Sequence, residues 1–317
     1  MESQRQTMAM AALAAIVMIL VSVACLKAGD RVETLNPITT VKVDAGQLEG
    51  IVSSDILSFK GIPYAEPPVG DLRWREPQPV KPWQGVRKAS EYGYDCVQKP
   101  VPGDSAASGA AFGEDCLKIN VWRPATSKSE EKLPVIVWIH GGGLLNGGSS
   151  AAIFDGSAMA RQRLVFVSLN YRLGRLGFFA HPALTAAKEG PLGKYAFMDQ
   201  LAALRWVKRN IGAFGGNPEQ VAIIGESAGG ISVMHLLTWP QARGLFHRAV
   251  VLSGGGRTYL VGAKRLSGGS PGQPSAEESG IEFTKSRGIT GTDAAALKAL
   301  RALPVERVNG DLSMRRC

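Results

Sequence analysis

Gly225-Glu226-Ser227-Ala228-Gly229 decides how this chain is read. It follows the apolar run Val221-Ala222-Ile223-Ile224 and precedes a stretch, Ile231 to Thr238, that reads as helix. G-x-S-x-G is the pattern of a sharp strand-to-helix turn, where flanking backbone comes so close that Gly225 and Gly229 have no room for a side chain. A serine placed there sits at a helix N-terminus, whose free N–H groups and positive dipole end favour a developing oxyanion. The hydroxyl still needs a base to take its proton, so the five residues predict only half a site.

The other half is upstream. Leu133-Pro134 opens Val135-Ile136-Val137-Trp138-Ile139, an apolar, β-rich run that predicts a buried central strand. It runs into His140-Gly141-Gly142-Gly143, and three glycines after a strand let the backbone turn N–H groups into a cavity, as an oxyanion hole requires. A flexible loop and a phosphate cradle are the rival readings. The cradle would want Lys-Ser/Thr after its glycines, and Leu144-Leu145-Asn146 does not supply it. Strand, glycine loop, strand and elbow, in that order, point to a serine hydrolase.

Four more stretches extend the argument: Phe59-Lys60-Gly61-Ile62-Pro63-Tyr64-Ala65, Glu114-Asp115-Cys116-Leu117-Lys118-Ile119-Asn120-Val121-Trp122, Asn170-Tyr171-Arg172-Leu173-Gly174 and Phe214-Gly215-Gly216-Asn217-Pro218. With the elbow and the glycine loop they resemble the type B carboxylesterase (cholinesterase-like) family of α/β-hydrolases, over about Val41 to Gly310. The resemblance implies an α/β-hydrolase fold, a central mostly parallel sheet flanked by helices. It also implies hydrolysis of small-molecule carboxylic esters through an acyl-enzyme on Ser227, with oxyanion N–H groups on Gly142, Gly143 and Ala228 and an elbow of Gly225, Glu226 and Gly229. No metal constellation and no dinucleotide fingerprint is found, so no cofactor is expected.

At 317 residues and 45% apolar, the chain can bury a large core. Its formal charge is +9, but Lys and Arg are scattered rather than set in a stripe, which argues against nucleic acid. Arg172/Arg175 and Lys208/Arg209 read as solvated faces and helix ends. Residues 1–28 read as a targeting segment, with an apolar stretch from Met8 to Leu26. Ser22-Val23-Ala24 has the small-x-small form of a cleavage site that leaves Cys25 first; an uncleaved anchor and a lipoprotein box at Cys25 stay open beside it. Export, to periplasm or exterior and with or without membrane attachment through residues 8–26 or Cys25, is the expectation; residues 29–317 form the hydrolase domain.

An exported chain makes its four cysteines legible. Cys25 lies at the processing site and Cys317 at the extreme end, which leaves Cys96 and Cys116 around a Gly/Ser/Ala-rich loop. The family resemblance points to the same pair, and closing that loop is worth roughly 3 kcal/mol in the chain-entropy model. Two buried thiols are the alternative.

Along the rest of the chain, Ile38 to Ile62 reads as short alternating strands turning at Asp44-Ala45-Gly46, and Pro63 to Pro102 as an irregular wrap. In such enzymes the wrap helps shape the mouth of the site; Tyr92 and Tyr94 are candidates to line it, packing is the commoner use of an aromatic there, and neither is assigned a role. Leu164 to Leu169 predicts a buried strand, Phe197 to Ile211 a helix ended by Gly212, and Ala249 to Leu252 a strand. Two helices follow, near Ala276–Arg287 and Asp293–Leu303. Asp199 reads as a helix-surface contact and Trp206 as core packing.

One requirement is unmet. An α/β-hydrolase presents serine, acid and histidine in that order. After Ser227 come only His235 and His247, with no Asp or Glu between Ala228 and Phe246, and His140 and His181 precede the serine. All four histidines read as structural. Glu277, Glu278, Glu282, Asp293 and Glu306 have no histidine after them. The expectation is the N-terminal portion of a longer esterase, its sheet lacking C-terminal strands and exposing an apolar edge. A catalytically inactive hydrolase-like binding module is the alternative.

Overall fold

Seven strands lie side by side at the centre of the computed structural model, which describes residues 39–101, 108–255, 264–309 and 312. The expected leader, with residues 8–26 and Cys25, lies outside the described residues. Strands β1 (Thr40–Val43) and β2 (Gly46–Glu49) form the predicted hairpin about Asp44-Ala45, and β3 (Ile51–Ser53) leads into β4 (Ile56–Pro63). The irregular wrap contains β5 (Val86–Lys88), which joins the small hairpin, and β6 (Asp95–Cys96), which pairs with β7 (Phe112–Gly113). Then come β8 (Lys118–Pro124), β9 (Leu133–Ile139), β10 (Val165–Leu169), β11 (Gly216–Glu226) and β12 (Arg248–Leu252).

The large sheet has the order β12-β11-β9-β10-β8-β4-β3. Its four C-terminal strands, β9 to β12, are mutually parallel, while β8, β4 and β3 join antiparallel. β4 thereby runs with the parallel block, so five of the seven strands share one direction. The sheet is mixed, with its parallel block at the C-terminal edge. Pro134 opens β9 without harm because the β9–β11 register shifts between Gly216 and Val221, where no ladder bond needs its missing N–H.

Parallel neighbours need crossovers, and helices supply them. The helix Tyr195–Asn210 leads into β11 and buries Leu201, Leu204 and Trp206 against the sheet, with Arg205 and Arg209 outward, as its periodicity predicts. A 3-10 turn over Ile211–Phe214 ends it, closed by Gly215 in the left-handed region. The elbow helix, Ala228–Thr238, joins β11 to β12. Helices Ala276–Ser286 and Ala294–Arg301 pack with Trp74, Phe179 and Leu184 in a second apolar cluster; Ser275 and Asp293 accept the N–H groups of Glu278 and Ala296 as caps. Among the described residues no helix is long and apolar enough to cross a membrane.

Candidate active site

The strand order itself marks a crevice. From β9 the chain crosses to β10 on one side, and from β10 it returns past β9 to β11 on the other. In open α/β sheets ligands bind at the carboxyl ends of strands where the winding direction switches in this way. Here the switch lies between β9 and β11, whose ends, Ile139 and Gly225, are register partners. The glycine loop leaves the first and Ser227 the second.

Ser227 has φ 53° and ψ −119°, a backbone conformation that L side chains rarely adopt. Two hydrogen bonds and the start of the elbow helix hold it there. Its N–H donates to Leu252 O at 2.8 Å, its carbonyl accepts from Ile231 at 3.0 Å, and the elbow helix begins at Ala228. The flanking glycines are required as expected: a Cβ on Gly225 would stand 2.2 Å from Gly229 O, and one on Gly229 would stand 2.1 Å from Ile139 O. A third glycine, Gly254 after β12, is also pressed against the turn, 2.4 Å from Ser227 O by the same construction. Ser227 itself is half-buried, and among the described residues nothing hydrogen-bonds its Oγ.

The glycine loop closes on the elbow. A Cβ on Gly141 would meet Glu226 Oε2 at 2.7 Å and Ser227 Cβ at 3.2 Å, so the loop backbone lies directly over the serine. Gly142 (φ 94°) and Gly143 (φ 62°) take left-handed conformations, and among the described residues their N–H groups and that of Ala228 donate to nothing. Behind the loop, the His140 ring stacks on Tyr171 with centroids 4.3 Å apart, while Tyr171 Oη donates to His140 O at 2.7 Å. Gly174 N–H holds Leu144 O at 2.8 Å.

The comparisons with known proteins meet this geometry. The family model described as the carboxylesterase family matches residues 37–306. The chain belongs to the carboxylesterase family. It is 42% identical over 225 residues to a fumonisin B1 esterase of Sphingopyxis macrogoltabida, covering 70% of this chain and 41% of the relative. It is 43% identical over 223 residues to a para-nitrobenzyl esterase of Bacillus subtilis, covering 69% and 44%. A solved structure titled PNB esterase superposes with a TM-score of 0.71 at 37% identity, over 86% of this chain and 52% of the other. A carboxylesterase structure from Geobacillus stearothermophilus superposes with a TM-score of 0.72 at 37% identity and the same coverage. The fold is that of the α/β-hydrolases. The chain spans less than half the length of these two curated relatives.

The stretches that carried the resemblance converge behind the crevice. Tyr64 Oη donates to Asn170 O at 2.6 Å, and Asn120 reaches Ser149 and Ser168. Two readings need correction here. Arg172 is no solvated residue, and Asp199 makes no helix-surface contact: both are buried, and Arg172 Nε and Nη2 donate to the Asp199 carboxylate at 2.8 and 2.7 Å, joined by Arg172 N–H at 3.0 Å. Burial pushes the Asp199 carboxyl up while the guanidinium beside it pulls it down. The pair pins the chain just after β10 to the long helix. The disulfide joins Cys96 and Cys116 as expected, with Cα atoms 5.0 Å apart.

Each histidine is engaged away from the serine. His140 Nδ1 lies 2.9 Å from Gly141 O, and burial pushes its pKa down. His181 caps the helix Pro182–Ala187, accepting from Ala183 N–H at 3.2 Å. His235 packs its ring against Phe197 at 4.5 Å, and His247 enters β12, accepting from Val221 N–H at 3.3 Å and facing Glu219 at 3.6 Å. Tyr92 and Tyr94 line a cleft of about 580 Å³ with Lys60, Asp115 and Lys118, but no residue of the elbow or the glycine loop lines it. Sequence reasoning missed Gly254, Gln98 and the Arg172–Asp199 pair. For the first, Ser253-Gly254-Gly255 straight after a strand was the available signal.

Proposed function

We propose that this chain carries the nucleophile and oxyanion hole of a serine carboxylesterase. Ser227 attacks the carbonyl of a small-molecule carboxylic ester, the tetrahedral oxyanion is held by the N–H groups of Gly142, Gly143 and Ala228, and the alcohol leaves an acyl-enzyme for water to cleave. The observation that carries this reading is the strained serine under the glycine loop, with undonated N–H groups at the switch point of the sheet. An inactive binding module has no use for that strain.

The histidine base and its acid come, on this reading, from outside these 317 residues, because all four histidines of the chain are held in other contacts. Export is proposed with it: a disulfide persists in oxidising compartments and is rare in reducing ones.

The test is hydrolysis of a p-nitrophenyl ester. Turnover by the 317-residue chain alone is expected well below about 1 per second, an ordinary lower bound for enzymes. With the base supplied, activity is expected to vanish in Ser227→Ala. A rate unchanged in that variant removes the serine from the mechanism. A fast, Ser227-dependent rate in the chain alone would show that one of its own histidines is the base.

A further inference from the structure

Gln98 stands on the disulfide-closed segment, far in sequence from the glycine loop, yet it grips the loop's distal end. Its Nε2 donates to Gly147 O at 2.7 Å and its Oε1 accepts from Gly147 N–H at 2.7 Å, a reciprocal pair in which one side-chain amide stands in for a strand neighbour. The same Nε2 also donates to Cys96 O at 3.0 Å, which orients the amide. Cys96 in turn is bonded to Cys116, two residues before β8 of the main sheet.

What Gln98 holds is continuous with the oxyanion donors. Gly147 (φ 104°) packs so closely under the loop that a Cβ there would stand 2.6 Å from His140 Nδ1 and 2.8 Å from Gly141 O. Gly142 O accepts from both Leu145 and Asn146 N–H at 3.0 Å, and a Cβ on Gly142 would stand 2.1 Å from Asn146 O. Residues 140–147 are therefore one closed turn. The segment beside the clamp reinforces it, with Asp95 accepting from the hydroxyls of Ser108 and Ser150.

We propose that Gln98 is a positioning residue for the oxyanion loop, and that the Cys96–Cys116 bridge fixes Gln98 in place. The inference rests on the reading of Gly142 and Gly143 as oxyanion donors, but its test uses no ester. A bystander amide would satisfy only Gly147; a positioning residue also protects the turn that Gly142 closes.

Amide hydrogen exchange on the whole chain separates these cases. Gln98→Met keeps the length and removes both hydrogen bonds to Gly147 along with the one to Cys96 O, so the Leu145 and Asn146 amides are expected to exchange about tenfold faster, with β9 and β10 unchanged. Gln98→Glu keeps the acceptor for Gly147 N–H and should fall between. Reducing the disulfide in the wild type should reproduce most of the effect, and in Gln98→Met should add less than about twofold. Faster exchange at Gly147 alone, or an equal rise across the sheet, overturns the positioning role. A reductant effect as large in Gln98→Met as in the wild type overturns the part given to the bridge. Loss of ester hydrolysis in Ser227→Ala is a separate result and bears only on the nucleophile.

Discussion

Strands β10 and β12 are both five-residue, parallel, apolar strands of one sheet, and they fare oppositely. Val165-Phe166-Val167-Ser168-Leu169 lies between β9 and β8 with every residue buried. Arg248-Ala249-Val250-Val251-Leu252 pairs, among the described residues, only with β11 and has none fully buried. Ala249 and Val251 touch the core, while Val250 and Leu252 are 39% and 43% exposed; Met234 and Leu237 of the elbow helix are likewise 44% and 52% exposed. Composition says which residues favour burial; only topology says whether something covers them. The uncovered strand is also the one whose carbonyl, at Leu252, holds the Ser227 backbone.

The largest effect that would break this contrast is a charge in each strand. Val167→Asp places an unpaired carboxylate where the side chain is fully buried, and we expect a loss of more than about 4 kcal/mol, or no folded protein. Val250→Asp should cost less than about 1 kcal/mol and raise solubility by interrupting an exposed apolar edge. Urea unfolding of the two variants checks both; equal losses would mean that β12 is covered after all. Next in size is Asp199→Ala, on the long helix, whose partner Arg172 lies just beyond the end of β10. It leaves the Arg172 guanidinium buried without its partner, an expected cost of about 3–5 kcal/mol by the same measurement. Replacing both residues by apolar ones should recover most of that loss.

The contrast also marks how far the sequence could be read. The elbow, the glycine loop and β9 were legible because their order, strand then glycine loop and strand then elbow, left the rival uses of each glycine run without support. The long helix was legible from its 3.6-residue period. Arg172 and Asp199 were not, because a lone Arg and a lone Asp favour water, and only the fold brings residues 27 apart in the chain into one dry contact. Gln98 gave no signal either, since a side-chain amide that mimics backbone has no pattern of its own. The four histidines read as structural from chain order alone, and in the fold each is held in contacts of its own.

A smaller effect comes from the disulfide, which ties the irregular wrap to the start of β8. Replacing Cys96 and Cys116 together by Ser should cost about 3 kcal/mol through the freed loop of the unfolded chain. The loss should appear in urea midpoints under oxidising conditions and disappear when both proteins are compared with the bridge reduced. Since β10 and β12 lie outside the closed loop, their relative protection in hydrogen exchange should be unchanged.

The smallest effect is a pH dependence set by His140, at the end of β9. Burial lowers its pKa in the folded chain, and among the described residues the buried Nε2 has no partner, so the neutral form is the one the fold accepts. In the unfolded chain the ring titrates near the ordinary value of about 6.5. The unfolded state thus binds a proton that the native state refuses, and stability from this residue is fully present above about pH 6.5 and falls as the pH drops toward the lower folded value. Urea unfolding should show a declining free energy from pH 7 to pH 5, and His140→Gln should flatten that decline. An unchanged slope would assign the dependence to another buried ring, with His181, also held down by burial, the next to replace.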